Sequence, residues 1–277
     1  MSTLILFAAA APFRAAVQLG DGARTLLRGV DAPGDDSTLD PFVFVDELGI
    51  DLGNRARFLH RSGAAGNIWY ARADGLAEAE VPDPAGGAAW LGRDIFAVIV
   101  RRFIQTAERN LGIDIFRLVL VVPPDLSSND RAALVEAGHL AGCALVELKD
   151  VTEVLAAAHD SEVGKRHLLI QHDADQLRVT AFRCAASGAR IEVCRDLSDD
   201  WSGERLVERF VSKLSADEQP DSRIHDFLAR ELPRWTAHDA GETLVAGDYG
   251  PPQPLYLPAS ARTILAEEII EQVKAAR

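Results

Sequence analysis

The sequence predicts an α/β fold of two related lobes, each built from a strand meander followed by helix and buried strand. Three observations carry that prediction. Short strand patterns cluster near the start, a clear amphipathic helix leads into a nearly unbroken aliphatic strand at 116–122, and a second meander follows a charged break. Meander, helix and buried strand in that order must be packed in layers, with helices laid on a sheet.

Residues 4–7 and 15–19 are apolar enough for two short strands, joined by the turn 8–14. The Gly20-Asp21-Gly22 turn introduces a third at 25–30, and 42–45 is a fourth after the polar turn 33–38. Residues 61–87 are rich in Gly, Ala, Asp and Pro and show little periodicity, so this is the least structured stretch expected. From Trp90 the pattern turns helical: Ile95, Phe96, Ile99, Phe103, Ile104 and Ala107 fall on one face, opposite Arg101, Arg102 and Glu108. Pro123-Pro124 stops the aliphatic strand. Ser127 or Ser128 then caps a helix whose apolar face holds Ala133, Leu134, Ala137 and Leu140, ending at Gly142. A strand at 144–148 and a helix at 152–158 complete this half.

The charged break 159–166 marks the expected boundary, giving a first lobe over 1–160 with a small subdomain around 31–90. The second lobe covers 161–277, with a small subdomain around 219–277. Within it, strands at 167–171, 177–183 and 190–196 read as an antiparallel meander. Helices are expected at 203–214, 222–232 and 262–276, and strands at 243–246 and 255–257.

The chain has 277 residues, 48% of them hydrophobic, enough for one large core or two modest ones. A net charge of -13 repels phosphate backbones and anionic lipid, and no basic stripe in the sequence offsets it, which argues against nucleic acid and membrane surfaces as partners. Cys143, Cys184 and Cys194 form no paired motif, as expected of reduced thiols in the cytoplasm, with Cys143 buried and inert. No apolar run reaches spanning length. The apolar stretch 4–11 lacks the basic start of a secretory signal and is expected to be a buried strand.

The segment VLVVPPDLSSNDRAALVEAGHLAG, starting at Val119, resembles the DnaK heat-shock chaperone family's V-I-T-V-P-A-Y-F-N-D-x-Q-R-x-A-T-x-x-A-G-x-x-A-G, without a gap. The order of the other segments resembles that family too. Thr38 to Val45 matches its T-T-P-S-V-V-A-F, residues 150–158 its N-E-P-T-A-A-A-L-A, and 168–182 its second phosphate-loop hairpin. The resemblance implies the two-lobed actin-like ATPase fold, of the ribonuclease H-like kind, with the second lobe incomplete before the family's final G-G-x-x-R-x-P loop.

Laid on the same positions, the family's nucleotide site is replaced. Its opening D-L-G-T-T falls on Ala8-Ala9-Ala10-Ala11-Pro12: Ala8 stands for the carboxylate, Ala10 for the glycine, and Pro12 has no N–H to give a phosphate. Its second loop falls on Gln171-His172-Asp173-Ala174-Asp175-Gln176, where Asp173 and Asp175 would repel a triphosphate. The metal-ordering glutamate falls on Val151, and its N-D pair on Ser127-Ser128. The resemblance therefore implies a pseudoenzyme, with no cofactor and no metal, acting as a nucleotide-independent scaffold. A protein partner or a second copy would cover the second lobe, with Ile264, Leu265, Ile269, Ile270 and Val273 on one face of its last helix.

A rival signal is Gly49-Ile50-Asp51-Leu52-Gly53-Asn54. Read as a phosphate loop, with Gly49, Asp51 and Gly53 holding ATP and magnesium, it makes the chain a divergent chaperone-type ATPase with weak nucleotide binding. It lies too near Pro123 for the family's spacing, and a hairpin turn followed by the start of a strand explains it as well. His172, Asp173, Asp175 and His159-Asp160 could form a metal corner, but a polar hairpin turn also accounts for them. Trp201, at a glycine of the family, would fill part of the cleft.

Overall fold

The computed structural model describes residues 2–9, 12–31, 37–158, 163–172, 177–186 and 188–197, with a few isolated later residues and the strands Thr243–Ala246 and Gln253–Tyr256. The chain divides into two compact units, Met1–His159 and Asp160–Arg277. It is a mixed α/β structure with parallel and antiparallel strand pairs. Among the described residues, no helix is long and apolar enough to cross a membrane.

The first unit is organised by a sheet of six strands. Strands β1 (Ser2–Phe7), β2 (Phe13–Gln18) and β3 (Arg24–Leu26) form an antiparallel meander, and β4 (Thr38–Leu39) adds to β2. Strand β1 also pairs in parallel with the distant β10 (Ile115–Val122), and β10 with β11 (Leu145–Asp150), giving the order β11-β10-β1-β2-β3. Strand residues alternate between faces. Leu4, Leu6, Val17, Leu118 and Leu120 all point to one side and are fully buried.

The cover on that side is α2 (Gly92–Leu111) and α3 (Ser128–Leu140), whose apolar stripes share one core with the strands. Ile95, Phe96, Ile99, Val100 and Phe103 repeat every three or four residues and are fully buried, each burial worth about 1.5–3 kcal/mol. Phe96 meets Phe13 edge-on at 5.9 Å. On α3 the buried stripe is Ala133, Leu134, Ala137 and Gly138, continued by Ala141 at the C-cap; a Cβ on Gly138 would come within 2.7 Å of Val146 and 3.0 Å of Leu118. Glycine is what lets α3 lie this close to β10 and β11. Leu140, expected on the apolar face, lies about a quarter of a turn from the centre of this stripe and is 45% exposed.

Beside this layer, β5 (Phe42–Asp46), β6 (Gly49–Leu52) and β7 (Asn67–Tyr70) form an antiparallel sheet, packed by α1 (Gly53–Arg61). The turn before Gly49 and strand β6 agree with the hairpin turn and strand start expected over 49–54; helix α1, which takes over at Gly53, is not among the expected elements. The stretch expected to be least structured also holds β7 and β8 (Glu80–Val81); β8 pairs with β9 (Trp90–Leu91), so the helix expected from Trp90 begins at Gly92. The strand expected at 25–30 is only Arg24–Leu26, since Leu27 and Val30 enter the core from a loop. At the centre of the small sheet, Arg57 of α1 forms an almost fully buried ion pair with Asp40. Its guanidinium also lies 4.6 Å over the Phe42 ring, which meets Tyr70 edge-on at 5.3 Å.

In the second unit, β12 (Arg166–His172), β13 (Leu177–Ala185) and β14 (Gly188–Leu197) form the antiparallel meander read from the sequence, and β15 (Thr243–Ala246) pairs with β16 (Gln253–Tyr256). The strand read at 255–257 thus begins earlier and ends at Tyr256. Helix α4 (Val151–Ala158) closes the first unit. The helices expected at 203–214, 222–232 and 262–276 fall mostly or wholly outside the described residues, as does Trp201.

Breaking the buried pair tests its role in the small sheet. Asp40→Ala strands the guanidinium without its carboxylate and is expected to lower unfolding free energy in urea by about 3–5 kcal/mol. An Arg57→Met, Asp40→Leu double variant is expected to recover most of that loss.

Candidate functional site

Parallel strands present their carboxyl ends at one edge, and that edge is where α/β sheets hold ligands. Here β1, β10 and β11 end together: Phe7 pairs with Val121 and Val121 with Lys149, so the next row is Ala8, Val122 and Asp150. The Ala8 N–H extends the ladder by donating to Val121 O at 2.8 Å. Ala8 and Ala9 are buried, Pro12 is half-buried just before β2, and Val151 and Thr152 are buried at the start of α4. Ala8 and Val151 are therefore brought to one edge, and both are apolar. Ala10, Asp173 and Asp175 lie outside the described residues. Gln171, in the second unit, is a buried residue of β12.

The polar groups near this edge are committed to the fold. Ser127 caps α3, its Oγ accepting from the Asp130 N–H at 3.0 Å while donating to Asp130 Oδ2 at 2.7 Å. The other oxygen of Asp130 accepts the Ala77 N–H at 2.9 Å, tying α3 to the loop before β8. Arg131 reaches Asp150 at 2.5 Å, neutralising the carboxylate that ends β11. Ser128 is simply the first residue of α3. Only Thr152 Oγ1 is buried at this edge with no hydrogen-bond partner among the described residues. Among the described residues, no group of three or more His, Cys, Asp and Glu could hold a metal ion.

Gly49, Asp51 and Gly53 belong to the other sheet. The turn before β6 is held by Asp46, whose Oδ1 accepts the N–H groups of Leu48 and Gly49 at 2.8 and 3.1 Å. Asp51 is bound to Arg55 at 2.6 Å. Gly53 starts α1 with φ +63°, and the next N–H, of Asn54, donates to both oxygens of Asp31, at 3.0 and 3.2 Å. A helix N-terminus attracts an anion. In this chain the anion is its own: a Cβ on Gly53 would lie 2.3 Å from Asp31 Oδ1. The capping residue is 23 positions away from its target, and no local motif announces it.

Cys143, just beyond α3, is buried as expected. Burial, with the Glu108 charge nearby, pushes its thiol up to about 11. A thiol so raised stays protonated and unreactive at neutral pH.

No protein-family model matches the chain, and no curated protein matches it in sequence.

Two measurements follow from these contacts. Gly53→Ala must hold a positive φ against the Asp31 carboxylate, and is expected to cost at least about 1–2 kcal/mol in urea unfolding. For Cys143, the folded chain keeps the proton that the unfolded chain releases. Its contribution to stability is therefore complete below pH about 9 and is lost as pH rises towards about 11. Melting curves across that window are expected to fall more steeply for the wild type than for Cys143→Ala.

Proposed function

We propose that this chain is a DnaK-like pseudo-ATPase with the actin-like fold, acting as a nucleotide-independent scaffold in a complex with another protein. The observation that carries this reading is the edge where β1 ends. On the resemblance, a metal-facing carboxylate belongs there, and the chain offers the buried Ala8, with the buried Ala9 next to it. Buried methyl groups bring neither charge nor coordination to a magnesium triphosphate.

The strand order supports the fold assigned by the resemblance. An antiparallel meander passes through a covering helix to a strand parallel with β1, and on through α3 to a second parallel strand. Val151 at the position of the metal-ordering glutamate supports the loss of hydrolysis, and Arg131 holding Asp150 removes the nearest carboxylate from use. The alternative, weak ATP binding through Gly49, Asp51 and Gly53, meets the Asp31 carboxylate at the one helix N-terminus it would need. A phosphate there would have to displace a negative charge already bound.

The test is a titration of ATP with magnesium, followed by heat and by melting temperature. A ligand that binds only the folded chain raises its stability once concentration passes the dissociation constant. No shift is expected for wild type or for Asp51→Ala. A shift in the wild type that Asp51→Ala abolishes would refute the scaffold reading.

A further inference from the structure

We propose that one face of the β12-β13-β14 meander binds a carboxylate-rich, partly apolar peptide segment of a partner protein. The inference begins with register. Arg166 pairs with Arg183, and Arg183 with Arg190, so three arginines form a single row across three adjacent strands. Residues directly opposite one another share a face, and like charges in that position destabilise a sheet. Adjacent strands lie about 4.8 Å apart, so the row spans about 10 Å.

Among the described residues, one carboxylate answers the row. The pairing slips between Ala181 and Phe182, leaving Glu192 as an extra residue on β14. A bulge re-aims a side chain. Glu192 is turned onto the arginines, accepting from Arg183 Nε at 2.9 Å and from Arg166 Nε at 3.0 Å. Burial pushes its carboxyl up, but the Arg183 hydrogen bond and the two arginine charges outweigh that and hold it below its ordinary value. Arg190 is left exposed, with no hydrogen bond or ion pair among the described residues, and so is Arg195 further along the same face. A further ion pair of this sheet, Arg178 with Asp196, lies on the opposite face.

Next to the arginine row the face turns apolar. Leu168, Ala181 and Val193 make the adjoining row and Ile170 and Val179 the one after, beside Arg195. Ile170 is 46% exposed, and Val193, 38% exposed, lines a hollow of about 780 Å³ with Arg166, Leu168, Val179, Glu192 and Arg195 among others. Four arginines against one glutamate, on a chain whose net charge is -13, is a local reversal of sign that the fold does not require. Guanidinium groups pair with carboxylates in two-pronged hydrogen bonds, and arginine clusters are a recurring means of holding acidic segments. Rows two residues apart are about 7 Å apart. A segment with acidic side chains followed by leucine or valine would place charge on the row and apolar groups on the floor.

The inference rests on reading the chain as an interaction protein, but not on its nucleotide site, so ATP titration and peptide binding can fail separately. The experiment uses the full chain and a fluorescein-labelled decapeptide of Glu and Leu, with the same peptide carrying Lys for Glu as control. Fluorescence anisotropy is expected to show saturable binding of the Glu peptide alone, weakening as sodium chloride is raised. An Arg190→Ser, Arg195→Ser double variant removes no ion pair of the described fold. It is expected to bind about tenfold more weakly with an unchanged circular dichroism spectrum. Ile170→Ser, at an exposed position, is the second variant and is expected to weaken binding without altering its salt dependence. No binding by the wild type, equal binding of the Lys peptide, or wild-type binding by both variants would overturn the proposal. So would sedimentation showing a wild-type dimer that the arginine substitutions dissolve, since the occupant would then be a second copy.

Discussion

Strand β1 can pair with β10 only after more than a hundred intervening residues have been gathered into a crossover, and that parallel pairing is what the first unit is built around. A parallel pair cannot be closed by a tight turn. The chain uses the connection to make the β2–β4 meander extension, the small sheet with α1, and finally α2, whose stripe returns to cover the strands. Once β1 lies against β10, the register fixes which residues are buried: Leu4 and Leu6 sit beside Leu118 and Leu120, on the side covered by α2 and α3. It also brings Ala8, Val122 and Asp150 to one edge.

The first unit shows how an acidic chain distributes its carboxylates. Asp31 caps α1 from a distance, Asp40 neutralises Arg57 in the core of the small sheet, Asp130 joins α3 to the loop before β8, and Asp150 receives Arg131. Each is fixed by a donor of the fold. A carboxylate held in this way is poorly placed to work through a metal or activate water, because the donor would have to be given up first. On the proposed reading, the loss of the nucleotide site and the strength of the scaffold have one cause. Groups near the strand ends serve structure, and those facing the former ligand are methyls.

The parts of the fold legible in the sequence are those whose causes are local. The run Leu118–Val122 is apolar because it is interior, Pro123-Pro124 ends it, and Ser127 caps the helix three residues before its partner Asp130. The second meander was legible for the same reason, as alternation bounded by turns. Helix α1 was not, because its N-terminus is completed by Asp31 from another segment and its interior is held by Asp40. Neither contact leaves a pattern in the nine residues of the helix. At the site, substitution at Ala8, Pro12 and Val151 could be read only through the resemblance, whereas the burial of Ala8 and Ala9 follows the apolar stretch 4–11, although the strand itself ends at Phe7.

The arginine row is a further case of information held in register alone. Arg166, Arg183 and Arg190 are separated by 17 and 7 positions and resemble scattered surface charges in the sequence. Antiparallel pairing sets them side by side, and a bulge supplies one glutamate for the group. Exposed ion pairs of this kind add little to stability, so Glu192 does not make the row a stabilising device. Among the described residues, two arginines on the face remain without a carboxylate, next to isoleucine and valine half open to solvent. A sheet selected only for folding would place opposite charges, or none, across those strands. The combination of repelling charges with exposed apolar neighbours is what a surface requires when its complement is carried by another molecule.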